Sequence, residues 1–243
     1  MSSPRLLVVQ HEDDCPPAWF GEWFREAGLD FDVVRGHRNE PVPASLDGYT
    51  GLVVLGGEMG AYDDAECPWL TPTKALIAQA VRAEAWFLGI CLGHQLAAVA
   101  LGGEVSRNPR GQATGLTAVQ LTPRGRDDEL TGVIGDTASS IQWNSDIVSR
   151  LPEGSEVLAT APDGSVQAAR FGVRAWGVQF HPEASPALFN GWVRTAGPLA
   201  EGDGRDLSTI AGQLFAAEAQ LRQDWAALAH RWVELVTAPL PVP

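Results

Sequence analysis

Three short stretches of this chain hold residues whose types and spacing could do covalent chemistry. The first is Gly89-Ile90-Cys91-Leu92-Gly93-His94-Gln95. An apolar run, Trp86 to Ile90, enters it, and a helical pattern, Gln95 to Leu101, leaves it. That places Cys91 on a sharp strand-to-helix turn of the form Gly-x-nucleophile-x-Gly. The following helix would aim its N-terminal N–H groups and positive dipole end at the sulfur, which favours the reactive thiolate. The second stretch is Val178-Gln179-Phe180-His181-Pro182-Glu183. Residues two apart in an extended chain share a face, so His181 and Glu183 point together. A carboxylate there fixes the imidazole tautomer, as in a nucleophile–base–acid triad. The third is Gly56-Gly57-Glu58-Met59-Gly60, a glycine loop after an apolar strand. A backbone N–H from this loop, with that of Leu92, could hold an oxyanion, at about 3 kcal/mol per donor.

Each piece alone has a plainer reading. A buried cysteine is ordinarily a small hydrophobe, and most Gly-Gly pairs are only turns. Together they point to nucleophilic attack on an amide through sulfur. The glycine loop lacks the Lys and Ser/Thr of a phosphate-binding loop. The other histidines are poorer candidates. His37 is in a turn-like stretch, His230 is in a C-terminal helical pattern, and His11 follows the first strand with no obvious partner. His94 is too close to Cys91 to swing back onto it without distorting the turn.

The elements that must position these residues read as an α/β chain. Arg5 to Gln10, Phe31 to Arg35, Gly51 to Leu55 and Trp86 to Ile90 are apolar strands. Ala18 to Glu26 and Thr71 to about Glu84 are the helices between them. Such strands predict a parallel sheet covered on both faces. After Gly102-Gly103 come short strands at Val105, Leu116 to Leu121, Ser139 to Gln142, Val157 to Thr160, Val166 to Phe171 and Ala175 to Phe180. Asp163-Gly164 is a hairpin signal among them. From Asp206 to Val236 the pattern is a long amphipathic helix, expected to break once near Gly212.

The 243 residues carry 17 Lys and Arg against 30 Asp and Glu, a net charge of −13. That argues against nucleic acid or an anionic membrane surface as partner. Cys15, Cys67 and Cys91 are odd in number and form no C-x-x-C. No disulfide framework is indicated, and a reducing cytoplasm is the expectation. The N-terminus does not read as a signal peptide, and no apolar run approaches the ~20 residues of a membrane span.

The three motifs together resemble the class I, triad-type glutamine amidotransferases, most nearly the glutaminase domain of GMP synthase. The resemblance runs from about Leu6 to Ala184. It implies a flavodoxin-like three-layer domain with a central, mostly parallel sheet over residues 1–184, with 185–243 as a C-terminal helical extension packed on the same domain. It implies hydrolysis of the γ-amide of glutamine, with Cys91 as nucleophile, His181 as base, Glu183 as orienting acid, and Gly57 and Leu92 as oxyanion donors. It assigns Gly56, Gln95, Asn144, Ser145 and Asp146 to the substrate. Relatives usually carry a His where Asn144 stands, in a loop over the amino-acid end of glutamine.

No metal or organic cofactor is implied. The ATP-pyrophosphatase signature of a synthetase is absent from the sequence. The expected roles are therefore a glutaminase feeding a separate synthetase partner, a hydrolase of larger γ-glutamyl amides, or a weakly active regulatory subunit. The helical extension could pack on the core or form a homodimer or partner interface.

Overall fold

The computed structural model describes residues 4–196 and 206–238. An eight-stranded sheet runs through it in the order β2-β1-β3-β4-β12-β11-β10-β7. Its parallel half is β1 (Arg5–Gln10), β2 (Asp30–Arg35), β3 (Gly51–Val54), β4 (Trp86–Ile90) and β12 (Ala175–Val178). β12, β11 (Val166–Gly172), β10 (Glu156–Thr160) and β7 (Gln120–Leu121) complete it with antiparallel pairings. Asp163-Gly164 lies in the β10–β11 hairpin, as its sequence predicts.

Continuous apolar strands are explained by alternate burial on two faces. Leu6 and Val8 of β1, Val53 of β3, and Trp86, Leu88 and Ile90 of β4 face one core. Leu7, Val9, Leu52, Val54 and Phe87 face the other. The second core is closed by α2 (Leu70–Arg82) and α3 (Leu92–Ala100). The first is closed by α1 (Ala18–Glu26), α5 (Pro186–Ala196) and α6 (Leu207–Thr237). The fold is thus the three-layer, flavodoxin-like α/β arrangement that the sequence predicts, with a C-terminal helix on one layer. A short helix, α4 (Pro123–Asp127), lies against β10.

Three features depart from the sequence reading. The helix α6 runs unbroken for 31 residues. Gly212 is exposed and meets no neighbour, so it costs α6 only the ~1 kcal/mol of a helical glycine. Buried Leu207, Leu214, Leu221, Trp225, Leu228 and Trp232 on either side of it outweigh that. Second, the helical extension expected from residue 185 begins with a separate helix, α5, whose bounds the sequence pattern does not mark. Third, two small antiparallel sheets stand apart from the main one. They pair β5 (Glu104–Arg107) with β9 (Asp146–Arg150) and β6 (Ala113–Ala118) with β8 (Ser139–Asn144). Asn144 and Asp146 therefore end one strand and begin the next, with Ser145 between them. Residues 197–205 and 239–243 of the expected extension lie outside the described residues.

Candidate active site

The elbow is strained in the way its glycines predict. Cys91 has φ 49° and ψ −104°, a conformation that costs an L-residue on the order of 1–3 kcal/mol. The surrounding contacts hold it there. The Cys91 N–H donates to the Val178 carbonyl at 2.8 Å, and the Gly93 N–H to that of Leu55 at 3.1 Å. A Cβ on Gly93 would sit 2.0 Å from the Val54 oxygen, and one on Gly89 would sit 2.6 Å from Gly93. Only glycine at both places lets α3 leave β4 so tightly.

His181 follows the end of β12. Its N–H donates to the Ile141 carbonyl of β8 at 2.9 Å. Its Nδ1 is 2.8 Å from Glu183 Oε1. Both His181 and Glu183 are almost fully buried. Burial pushes the imidazolium down, but the Cys91 sulfur and the Glu183 carboxylate outweigh it and raise His181 to about 10. The Trp192 ring of α5 lies over the imidazole at 4.7 Å between centroids, and its Nε1 donates to the Asp14 carbonyl at 2.7 Å. Gly56 makes room for the ring, since a Cβ there would fall 2.8 Å from His181 Cε1.

Cys91 and His181 open onto a cleft of about 290 Å³ that is also lined by Gly57, Gln95, Asn144, Ser145 and Asp146. Gly56, Leu92 and Glu183 lie behind this surface. Leu92 is the first residue of α3, so its N–H has no intrahelical acceptor. Neither it nor the Gly57 N–H donates to a backbone carbonyl among the described residues.

The Asn144–Asp146 side of the cleft is more tightly bound internally than its sequence discloses. Asn144 Nδ2 donates to the Asp146 carbonyl at 3.0 Å, leaving Oδ1 buried and without a partner. Asn144 therefore presents an unpaired acceptor oxygen, with one N–H of its amide already committed to Asp146. Gln95 Nε2 donates to the same carbonyl at 3.0 Å. The Asp146 carboxylate is 3.5 Å from Arg107, whose side chain is largely exposed at the rim.

Several cleft residues escaped the sequence reading. Glu12, Asp14 and Cys15 follow β1, and Glu58 sits in the glycine loop. Burial raises the Glu12 pKa, as do Asp14 and Glu58, and none of these three acids has an ion-pair partner among the described residues. Cys15 is buried, and its thiol, which donates to Glu12 Oε1 at 3.1 Å, is pushed well up by burial and by that carboxylate. Trp143 and Trp192 also line the cleft. Gln179 had a legible signal, because it lies two residues before His181 and so shares its face.

The remaining histidines have other employment. His11 is fully buried and accepts from Trp69 Nε1 at 3.0 Å. His94 is buried against Phe171, with ring centroids 5.4 Å apart. His37 pairs with Asp13 at 2.9 Å.

Residues 21–192 match the family model described as glutamine amidotransferase class-I. The chain belongs to that family. Among its relatives is a GMP synthase [glutamine-hydrolyzing] of Leifsonia xyli, 33% identical over 70% of this chain but only 34% of the relative. Another is gamma-glutamyl peptidase 3 of Arabidopsis thaliana, 29% identical over 68% of this chain and 67% of the relative. A glutamine amidotransferase structure from Thermotoga maritima superposes with a TM-score of 0.85 at 27% identity, covering 96% of this chain and all of that one. The chain thus spans about a third of the GMP synthase it matches. Among the described residues no helix is long and apolar enough to cross a membrane.

Proposed function

We propose that this member of the class I family hydrolyses the γ-amide of glutamine through a γ-glutamyl thioester on Cys91. The observation that carries the reading is the meeting of Cys91 and His181 in one cleft that Gly57 also lines, with Glu183 2.8 Å behind the His181 ring. In this reading Cys91 attacks the γ-carbonyl carbon, and the oxyanion rests on the Leu92 and Gly57 N–H groups. His181 protonates the departing ammonia, which completes the thioester. It then takes a proton from water, which attacks the thioester and releases glutamate and the sulfur. Glu183 holds the Nδ1–H tautomer and stabilises the imidazolium. The buried Asn144 Oδ1 and the Asp146 carboxylate suit the α-ammonium group of the substrate, and Arg107 suits its carboxylate.

The ammonia would pass to an acceptor or to a separate synthetase partner, as the pairing of glutaminase and synthetase in GMP synthase relatives suggests. Residues 1–184 would be the catalytic domain and 185–243 an extension that completes the cleft with Trp192. The cysteines, all free, fit a reducing compartment such as the cytoplasm.

A second reading, hydrolysis of a larger γ-glutamyl amide, is favoured by one observation. The same cleft is lined by Glu12, Asp14 and Glu58, acids without an ion-pair partner among the described residues that would suit a cationic leaving amine. Both readings are tested by glutamate release from glutamine and from γ-glutamyl amides with neutral, cationic and anionic leaving amines, using wild type and Cys91→Ala. Glutamine turnover that is lost in Cys91→Ala supports the first. Turnover only of the larger amides supports the second, and release by Cys91→Ala refutes both. Asn144→His adds a check on the amino-acid end. It should change kcat/KM for glutamine by about ten-fold, the scale of one or two hydrogen bonds. An unchanged value would remove Asn144 from the substrate site.

A further inference from the structure

Two buried glutamines connect the nucleophile to the turn between β8 and β9. Gln179 is fully buried and Gln95 nearly so. Gln95 Nε2 is 3.0 Å from the Asp146 carbonyl oxygen and 3.2 Å from Gln179 Oε1. Gln179 Nε2 is 3.6 Å from Cys91 Sγ.

The direction of this chain is dictated by chemistry. A backbone carbonyl can only accept, so Gln95 must turn its NH2 toward Asp146. The second N–H of the same nitrogen then requires an acceptor, so Gln179 must present its oxygen. That leaves the Gln179 NH2 facing the sulfur. Were either amide flipped, two like groups would meet in a buried place, at a cost of about 1–3 kcal/mol for each unsatisfied group.

We infer that Gln179 is a direct hydrogen-bond donor to the Cys91 sulfur. Gln95 is the positioning residue that fixes its amide and ties the sulfur to the Asn144–Asp146 turn. A donor favours sulfur most when the sulfur is negative, because a charge-assisted hydrogen bond is roughly twice as strong as a neutral one. The pair therefore assists His181 in holding Cys91 ready to attack. A ligand that moves the Asp146 carbonyl would loosen Gln95 and be felt at the sulfur. The arrangement also limits Gln95, whose Nε2 is occupied on both sides, so only its oxygen is free for a substrate. The ionisable groups around the sulfur are His181, with Glu183 behind it, and, lining the same cleft, Glu12, Asp14, Cys15, Glu58, Asp146 and Arg107, and none of them is altered by the substitutions below.

The inference rests on Cys91 as the nucleophile of the proposed function, but its test needs no substrate. Full-length wild type, Gln179→Met, Gln95→Met and the double variant are alkylated with iodoacetamide from about pH 5 to about pH 10, and Cys91 modification is followed by peptide mass. Gln179→Met should shift the Cys91 profile to higher pH by about one unit and slow alkylation about ten-fold at neutral pH. Gln95→Met should move the profile the same way by less, and the double variant should be no worse than Gln179→Met.

In turnover, kcat should fall about ten-fold with KM within about two-fold. A Gln179→Met profile identical to wild type overturns the inference. So does activity lost only in proportion to unfolded protein. If Gln179→Met fails to fold, Gln95→Met decides, and an unshifted profile there overturns it. A shifted profile in a protein that hydrolyses no γ-glutamyl amide would refute the proposed function and leave the relay standing.

Discussion

Replacing Glu183 with Gln keeps the shape of the acid and removes its charge. The carboxylate is almost fully buried, with Oε1 2.8 Å from His181 Nδ1 and Oε2 without any partner. A hydrogen bond from an imidazolium to a buried carboxylate is worth about 2 kcal/mol more than one to a neutral amide oxygen. That energy converts to about 1.5 pH units for His181, which the carboxylate helps hold at about 10. It also converts to about 30-fold in any step that needs the imidazolium. The substitution adds a second hazard. If the new NH2 turned toward Nδ1, it would impose the opposite tautomer and leave the ring unable to accept a proton from sulfur. Because Oε2 has no partner, nothing on the far side of the amide prevents that turn, so 30-fold is a lower bound. The assay is kcat against pH for the best γ-glutamyl substrate, with a thermal melt of the same samples. His181 has a raised pKa, so its imidazolium form is present below that value and lost as pH rises through it. Glu183→Gln should bring this alkaline limit down by about 1.5 units and lower the plateau at least 30-fold. A variant that melts like wild type and keeps both the plateau and the alkaline limit would refute the argument.

Cys91→Ala should abolish turnover while its unfolding free energy stays within about 1 kcal/mol of wild type, by urea titration, since the site loses one small group. Burial holds His11 and His94 down at about 3, below the ~6.5 of an unfolded histidine. Between those values the unfolded chain binds more protons, so stability falls as pH drops, by up to about 1.4 kcal/mol per unit for each. His94→Leu should remove one of the two contributions, and equal losses between pH 7 and pH 5 for both proteins would count against it. Trp225→Ala should cost about 3–5 kcal/mol in a thermal or urea melt. In the folded fraction it should lower kcat, because the Trp225 ring packs on Phe180 at 4.7 Å, next to His181. A destabilised protein with full kcat would separate the helix from the site.

The parallel half of the fold was legible because its strands are buried on both faces and read as unbroken apolar runs. β1, α1 and β4 begin and end where the pattern places them. The elbow was legible because its glycines answer to steric limits within a few residues. What sequence could not show was set by partners distant along the chain. The resemblance places Asn144, Ser145 and Asp146 in a loop, and no strand is expected after it. The antiparallel pairing with β5 makes a strand from Asp146 onward. Gly212 carried a real local penalty that the long buried stripe of α6 overrode. Glu12, Asp14, Glu58 and Trp192 became neighbours of the cleft only once the sheet brought the ends of β1, β3 and β12 together.

Cys91 and His181, the proposed nucleophile and base, are held by different parts of the molecule. Cys91 is fixed from within the sheet, by Val178, by the tight approach of Gly93 to Val54, and by α3. His181 is fixed from the other layer. Trp192 lies over its ring, Trp225 of α6 packs on Phe180, and the Trp19 N–H of α1 donates to the Glu183 carbonyl at 3.1 Å. Arg222 of α6 pairs with Glu22 of α1 at 3.0 Å and lies over Trp19 and Trp23. The helices after Glu183 thus bear on the base and hardly on the sulfur. A disturbance of α5 or α6 should therefore alter proton transfer first and leave the thiol in place. In the proposed mechanism this division gives the C-terminal helices a role in the chemistry although they contribute no reacting group.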